Sequence, residues 1–536
     1  MIPNLSNTTK NLIHQRDTLR SNSPTDPHIS TLDDQITQDI RDTNRQTWIH
    51  TVESCSNKYN TSQFFSLLRT LSGKRTPTPP NRPITFNNRT LTRNQDIAIA
   101  FNKQFSSTIT HTSDPTARRV KRRLNRMRPL DTTAAPFTPL YTSRAIRNSG
   151  NSRAAGPDGL TIHHLKHLGP IGILFLTHLF NLSYSKSDIP TIWKSAIVVP
   201  LPKPNKPVGL GTSYRPISLL CPAAKVLERL LLPELNSYLP LASTQHGYRS
   251  GRSTTTALLP LVHLVTRGFN HILPPLRTVT VSTDLSKAFD TVNHTKLISL
   301  LIDTPLADNT VRWLSAYLKG RMASCRYNYT TSPQRHTRAG VPQGSCISPV
   351  LFNFFVSTYP HSTHLTTSYA DDFTDSASST DYTSAAAALS EHANRVSLWA
   401  ADLGLTLSAP KSTVTLFTPD TRQFHHHPHV TINNTPLPLA QYPRILGVTL
   451  DPRFNFGHHI KNIISRASPR INILRALAGT TWGASKETIL LTFKSLIQSL
   501  FTYATPIWFP NASPSAIAKL QIVQKHALRN VLPLAA

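Results

Sequence analysis

The sequence predicts an α+β protein of several domains, and three observations lead there. TVTVSTDL, at 278–285, alternates with period two and ends beside Asp284. SYADDFT, at 368–374, reads as strand, turn and strand around Asp371. Around both, apolar residues recur at helical spacing, clearly over 31–54 and 382–403. The length of 536 residues suits about two to four domains and a large core.

Lys plus Arg number 57 against 27 Asp plus Glu, a formal charge of +30. That excess excludes an ordinary enzyme of small neutral metabolites and implies a polyanion partner, nucleic acid or an anionic membrane surface. No apolar run approaches about 18 residues, because Lys225, Glu228 and Arg229 interrupt the best candidate at 219–232. The start, MIPNLSNTTK, has no apolar signal segment. The expectation is therefore a nuclear and/or cytoplasmic protein that is neither secreted nor membrane-spanning. Cys55, Cys221, Cys325 and Cys346 form no C-x-x-C, so neither a zinc ribbon nor a disulfide framework is indicated.

Residues 1–30 are polar without periodicity, and disorder or loose docking is expected. Leu32, Ile36, Ile40, Trp48 and Val52 predict a first helix. Phe64, Phe65, Leu67, Leu68 and Leu71 predict a second, capped by Ser62 and ending near Gly73, before the breaker TPTPPNRP at 76–83. Thr92 and Gln95 stand at capping-box spacing ahead of a third, which carries Ile97, Phe101 and Phe105. A basic run follows: Arg118, Arg119, Lys121, Arg122, Arg123, Arg126 and Arg128. Val120, Leu124 and Met127 interleave it, so it reads as a phosphate-binding amphipathic helix or a solvated linker; the global charge favours the first. Nuclear targeting is a weaker use of the same run.

Beyond about 140, apolar segments become dense. AAGPDGL (154–160) is a turn-rich loop, a helix is expected over 170–184, and a strand over 195–202 ends beside Lys203. SYRPISLL (213–220) presents Arg215. A helix over 222–238 leads to STQHGYRSGRSTTTAL (243–258), a polar loop with Arg249 that enters a helix capped by Ser253 or Thr254. SKAFDTVNH (286–294) turns into a helix, a Trp313 helix follows, and 324–332 reads as a strand. GVPQGSCISPVLFNFFV (340–356) is a loop opening into an apolar helix, and a turn at 404–410 leads to Lys411 and the strand TVTLF.

Taken alone, adjacent Asp371 and Asp372 fit a solvated turn as well as a metal site. Asp284, at the end of another strand, changes that balance, since an antiparallel sheet can set distant residues side by side. Converging carboxylates suit two Mg²⁺ ions, with Mn²⁺ a substitute, for in-line displacement at phosphorus. Lys203 and Arg215 are suited to hold a triphosphate in such a site. FHHHPHV (424–430) offers His425, His427 and His429 as zinc ligands, but with no Cys or acidic partner nearby an exposed loop is the better reading. Cys346 has no paired base and reads as a packed helix start.

These blocks resemble, in order, the reverse transcriptase of non-LTR (LINE-type, Jockey/CR1-like) retrotransposons. DLSKAFDTVNH resembles the first catalytic block, GVPQGSCISPVLF the loop and helix that contact template and nucleotide, and SYADDFT the catalytic hairpin. SYRPISLL, QHGYRSGRST, LSAPKSTVTLF and RILGVTLD fill the remaining places, so the likeness covers roughly 140–460. It implies a right-hand polymerase: a helical accessory region and basic linker over 1–136, interleaved fingers and palm over 137–454 (core about 184–450), and a helical thumb over 455–536. It implies Asp284, Asp371 and Asp372 as metal carboxylates, and Phe289 as a steric gate against a 2′-hydroxyl. Gln343 and Gly344 would line the nucleotide and template base, and Lys203 and Arg215 its phosphates. Lys411 would be a general acid for pyrophosphate, a snorkelling surface lysine being nearly as good a reading. Arg249 joins Arg118, Arg119, Lys121, Arg122 and Arg123 as an expected nucleic-acid contact. The implied partners are an RNA template, a DNA primer or target and dNTPs; the oligomeric state is left open.

The chain departs from the pattern at Ala155, where proline is common, and at Ser282–Thr283, where apolar residues are usual. No endonuclease and no RNase H carboxylate cluster is recognisable, so an isolated domain or a truncated element copy is expected. The rival readings are an RNA-dependent RNA polymerase, a group II intron maturase-like enzyme, and an inactive nucleic-acid-binding remnant.

Overall fold

In the computed structural model the described residues are 5–54, 61–73, 82–106, 115–128, 135–204, 206–360, 364–478 and 483–529. Two units are separable: residues 78–454, and residues 1–77 gathered with 455–536. The architecture is α+β.

Residues 78–454 are built on two sheets. The first has four antiparallel strands, in the order Thr413–Phe417, Arg277–Asp284, Asp372–Ser379, Leu365–Tyr369. Val279 and Val281 point to one face, where the helix Tyr382–Leu403 packs through Ala385, Leu389 and Ala393. Alternation alone would send Thr278 and Thr280 to water. Instead both are buried on the face that the helix Thr254–Phe269 covers. Their hydroxyls pair across the strands, Thr280 with Ser376 at 2.9 Å and Thr278 with Ser378 at 2.8 Å, which satisfies groups that would otherwise be costly to bury.

In the second sheet Ser195–Pro202 runs antiparallel to Tyr214–Leu219 and parallel to Arg321–Tyr327. The stretch 324–332 is a strand end, a turn and the short strand Thr330–Thr331, because Asn328 takes a positive φ of 53°. AAGPDGL is a loop as expected, and Gly156 lies against the Leu220–Cys221 backbone, where a Cβ would fall 2.7 Å from Cys221 N.

Residues 78–136 belong to the same compact unit as the two sheets. The helix Asn94–Phe105 buries Ile97 and Phe101 on the second sheet beside Tyr214 and Cys325, which ties it to that unit. It begins after Arg93 without a side-chain cap, so the Thr92–Gln95 capping box is absent.

The polar N-terminus also differs from expectation: Asn7–Asn22 is a helix. Its polar side chains are tied to the next helix, His28–Ser54, by Ser6 Oγ donating to Asp39 at 2.8 Å and Arg16 pairing with Asp33 at 3.1 Å. A helix held by polar pairs leaves no apolar period to read. Thr61–Leu71 is the second expected helix, with Ser62 inside its first turn. The breaker at 76–83 lies mostly outside the described residues, as does Cys55. Residues 455–536 supply the helices Gly457–Leu477, Lys486–Phe493 and Pro514–Arg529. Among the described residues no helix is long and apolar enough to cross a membrane.

Candidate active site

The SYADDFT hairpin turns at Ala370–Asp371, with Ala370 at φ 57°. Antiparallel pairing sets Asp372 directly opposite Asp284 at one end of the first sheet, with Asp371 next to them in the turn. Burial comes first among the causes that hold Asp371 and Asp372 above the ordinary carboxylate range, Asp372 at about 6. For Asp372 the charges of Asp371 and Asp284 add to it, and Asp284 adds to the rise of Asp371. Repulsion of this kind is what a divalent cation would relieve, and all-oxygen donors suit Mg²⁺. Among the described residues no three His, Cys, Asp or Glu side chains close on a common centre; Asp284 Oδ2 lies 3.5 Å from Lys411 Nζ. The charge and chemistry of the set therefore fit a metal, while its rotamers pair one carboxylate with a lysine.

Cations gather on the same side. Lys203 is held below the usual lysine range by partial burial and then by Lys411, Arg215, Lys206 and Lys287. Its Nζ donates to Thr212 O at 2.9 Å. Arg215 is exposed, yet its charge works against the rise of both Asp371 and Asp372. A cleft of about 380 Å³ opens beside Asp284, Asp372 and Lys411 and reaches Tyr442 and Arg444.

Phe289 is half-buried and stacks on Phe352, ring centroids 4.2 Å apart. Gln343 donates from Nε2 to Asp290 Oδ1 at 2.9 Å, and its carbonyl accepts from Ser218 N. Gly344 has a φ of 138°, and a Cβ there would lie 2.4 Å from Ser218 O. Arg249 is turned inward, donating to the carbonyls of Ala242 and Gln245 at 2.7 and 3.3 Å, and so ties its own loop. The basic run is the helix Pro115–Arg126, with Val120 buried and Arg118, Arg119, Lys121 and Arg122 exposed, while Arg123 pairs with Asp303 at 2.6 Å. His425, His427 and His429 lie in a loop, where His427 Nε2 is 2.9 Å from Leu437 O.

Several residues were not singled out from sequence. Gln245, buried, clamps the SYADDFT turn: its Oε1 accepts from Ala370 N and Gly247 N, each at 2.8 Å, and its Nε2 donates to Ala370 O at 3.1 Å. Gly247 touches the same turn, where a Cβ would fall 2.4 Å from Ala370 N. Asn353 Nδ2 in turn donates to Gly247 O at 2.7 Å. Glu228, fully buried, accepts from Tyr317 Oη at 2.7 Å and from Cys346 N at 2.6 Å, and so holds the start of the GVPQGSC helix. Its signal was a lone acid within an apolar helix. Asp290 is raised to about 6, chiefly by burial.

Carboxylates at a β-hairpin, with Lys411 beside Asp284 and Arg215 acting on Asp371 and Asp372, are an arrangement suited to polyphosphate chemistry. Residues 201–450 match the family described as "Reverse transcriptase (RNA-dependent DNA polymerase)". The chain is 29% identical over 416 residues to the "Probable RNA-directed DNA polymerase from transposon X-element" of Drosophila melanogaster, covering 76% of this chain and 45% of that protein. It is 28% identical over 460 residues to the corresponding protein from transposon BS of the same species, covering 82% and 49%. It is 26% identical over 417 residues to the "RNA-directed DNA polymerase from mobile element jockey" of Drosophila funebris, covering 74% and 44%. The chain thus spans about half the length of these relatives.

Proposed function

We propose that this chain is the RNA-directed DNA polymerase of a non-LTR retrotransposon, extending a 3′-hydroxyl primer with dNTPs on an RNA template. The observation that carries the reading is the register pairing Asp372 with Asp284 beside Asp371, within the segment that matches the reverse transcriptase family. The first sheet and its helices form the palm, the second sheet and its surroundings the fingers, and residues 455–536 the thumb. Asp284, Asp371 and Asp372 would hold two Mg²⁺ ions, which would supply Lewis-acid activation of the attacking hydroxyl and charge neutralisation on pyrophosphate. Lys203 and Arg215 bind the triphosphate. Lys411, its Nζ 3.5 Å from Asp284 Oδ2, is placed to donate a proton to pyrophosphate. Phe289, immobilised by stacking on Phe352, excludes a ribose 2′-hydroxyl. Gln343 and Gly344 line the base pair.

The test is primer extension on poly(rA)–oligo(dT) with dNTPs. The expected result is Mg²⁺-dependent extension, lost by on the order of 1,000-fold in Asp284→Asn and Asp371→Asn. Extension by the wild type that survives in both variants would show the carboxylate assignment to be wrong. Tight nucleic-acid binding without extension would favour an inactive remnant.

A further inference from the structure

The basic helix does more than display charge. Val120, Leu124 and Met127 dock it on the core, next to the helix His294–Ile302. Docking encloses a cleft of about 680 Å³ between that helix pair, Lys319 at the end of the helix Asp308–Leu318, and the segment His336–Arg338. Lys121, Lys319, His336 and Arg338 are exposed, and no carboxylate lines the cleft. Its apolar lining includes Leu124, Ile298 and Leu318.

We propose that this cleft binds the phosphodiester backbone of a single-stranded nucleic acid, as the approach of the template strand to the polymerase site. The second part of this statement rests on the polymerase reading; the binding itself does not. Cationic rims above an apolar floor suit a strand whose phosphates stay at the edge while its bases turn inward. The volume is in the range of pockets that enclose a small ligand, too small to seat a duplex. The cleft also lies along the stretch of chain that leads to the base-contacting loop. Arg338 is followed by Gly340 and Gln343, and His294 Nε2, from the opposite wall, is 2.7 Å from Gly340 O. Gly340, at φ 86°, packs against Asp290, where a Cβ would lie 2.7 Å from the carbonyl oxygen. A strand in the cleft therefore runs beside the loop that carries Gln343.

The experiment measures binding of the full chain to labelled single-stranded RNA, single-stranded DNA of the same sequence, and duplex, by fluorescence anisotropy over a salt series. In the triple variant Lys121→Ala/Lys319→Ala/Arg338→Ala, the slope of log K against log salt for single strands falls by about 2, given about 0.7 per phosphate contact. Duplex binding changes less. The charge-preserving variant Lys121→Arg/Lys319→Arg/Arg338→Lys keeps the wild-type slope, which separates lost charge from a damaged fold. Lys186→Ala, on another helix, keeps it too. An unchanged slope in the triple variant, or an equal loss for duplex and single strand, overturns the proposal; a preference between RNA and DNA identifies the strand. Wild-type protein that extends no primer refutes the polymerase reading but leaves the binding result intact.

Discussion

Asp372 bears the conflict between stability and chemistry most directly. Burial and two neighbouring carboxylates hold it at about 6, so Asp372→Asn is expected to melt at a higher temperature than wild type while losing extension activity. Asp290 offers a cleaner titration. Its carboxyl is raised to about 6 from 3.8, so the folded state retains a proton that the unfolded state releases. Stability from this group therefore falls as pH rises from about 4 to 6 and is level above that. Asp290→Asn, which still accepts the Gln343 hydrogen bond, is expected to gain stability relative to wild type across that window, read by urea unfolding at several pH values. At Phe289, replacement by Val removes the ring and is expected to raise ribonucleotide incorporation by about 10–100-fold, measured by comparing rNTP with dNTP insertion. The acids of the hairpin were legible from sequence because adjacent Asp residues between β-forming stretches are unusual. The burial of Asp290 was not, since nothing local shows that Gly340 and Gln343 close over it.

At the scale of elements, the SYADDFT hairpin is held by a segment distant in sequence. Residues 244–247 run beside Leu365–Tyr369, with His246 N donating to Ser368 O and Ser368 N to Thr244 O, and Gln245 completes the edge with its side chain. Gln245→Ala leaves the buried N–H groups of Ala370 and Gly247 unpaired, at about 1–3 kcal/mol each. Gly247→Ala forces a Cβ onto Ala370 N and costs about 1–3 kcal/mol as overpacking. Both are expected to lower extension more than nucleic-acid affinity, checked by single-turnover rates against binding curves. Element existence was largely readable: the helices at 222–238 and 382–403 and the strand TVTLF follow from periodicity alone. The Asn7–Asn22 helix did not, because polar pairs to a neighbouring helix replace an apolar face.

For the whole molecule, the charge of +30 predicts binding that weakens steeply with salt. It also predicts that chelation abolishes extension while leaving RNA binding measurable, because the phosphate contacts come from lysines and arginines rather than from the metal site. An anisotropy titration with and without EDTA, run beside the extension assay, checks this. That residues 78–136 group with the sheets was not readable for a comparable reason: Ile97 and Phe101 look like any helical apolar face until a sheet is there to receive them.

The sequence by itself determined the α+β class and the large positive charge, and it put forward the three carboxylates, because charge, periodicity and motif order are local properties of the chain. Only the tertiary structure decided that Asp372 faces Asp284, that Gln245 holds the turn leading into Asp372, and that the basic helix lines a cleft. Each depends on residues far apart in sequence being brought to within a few ångströms, a distance that no local pattern encodes.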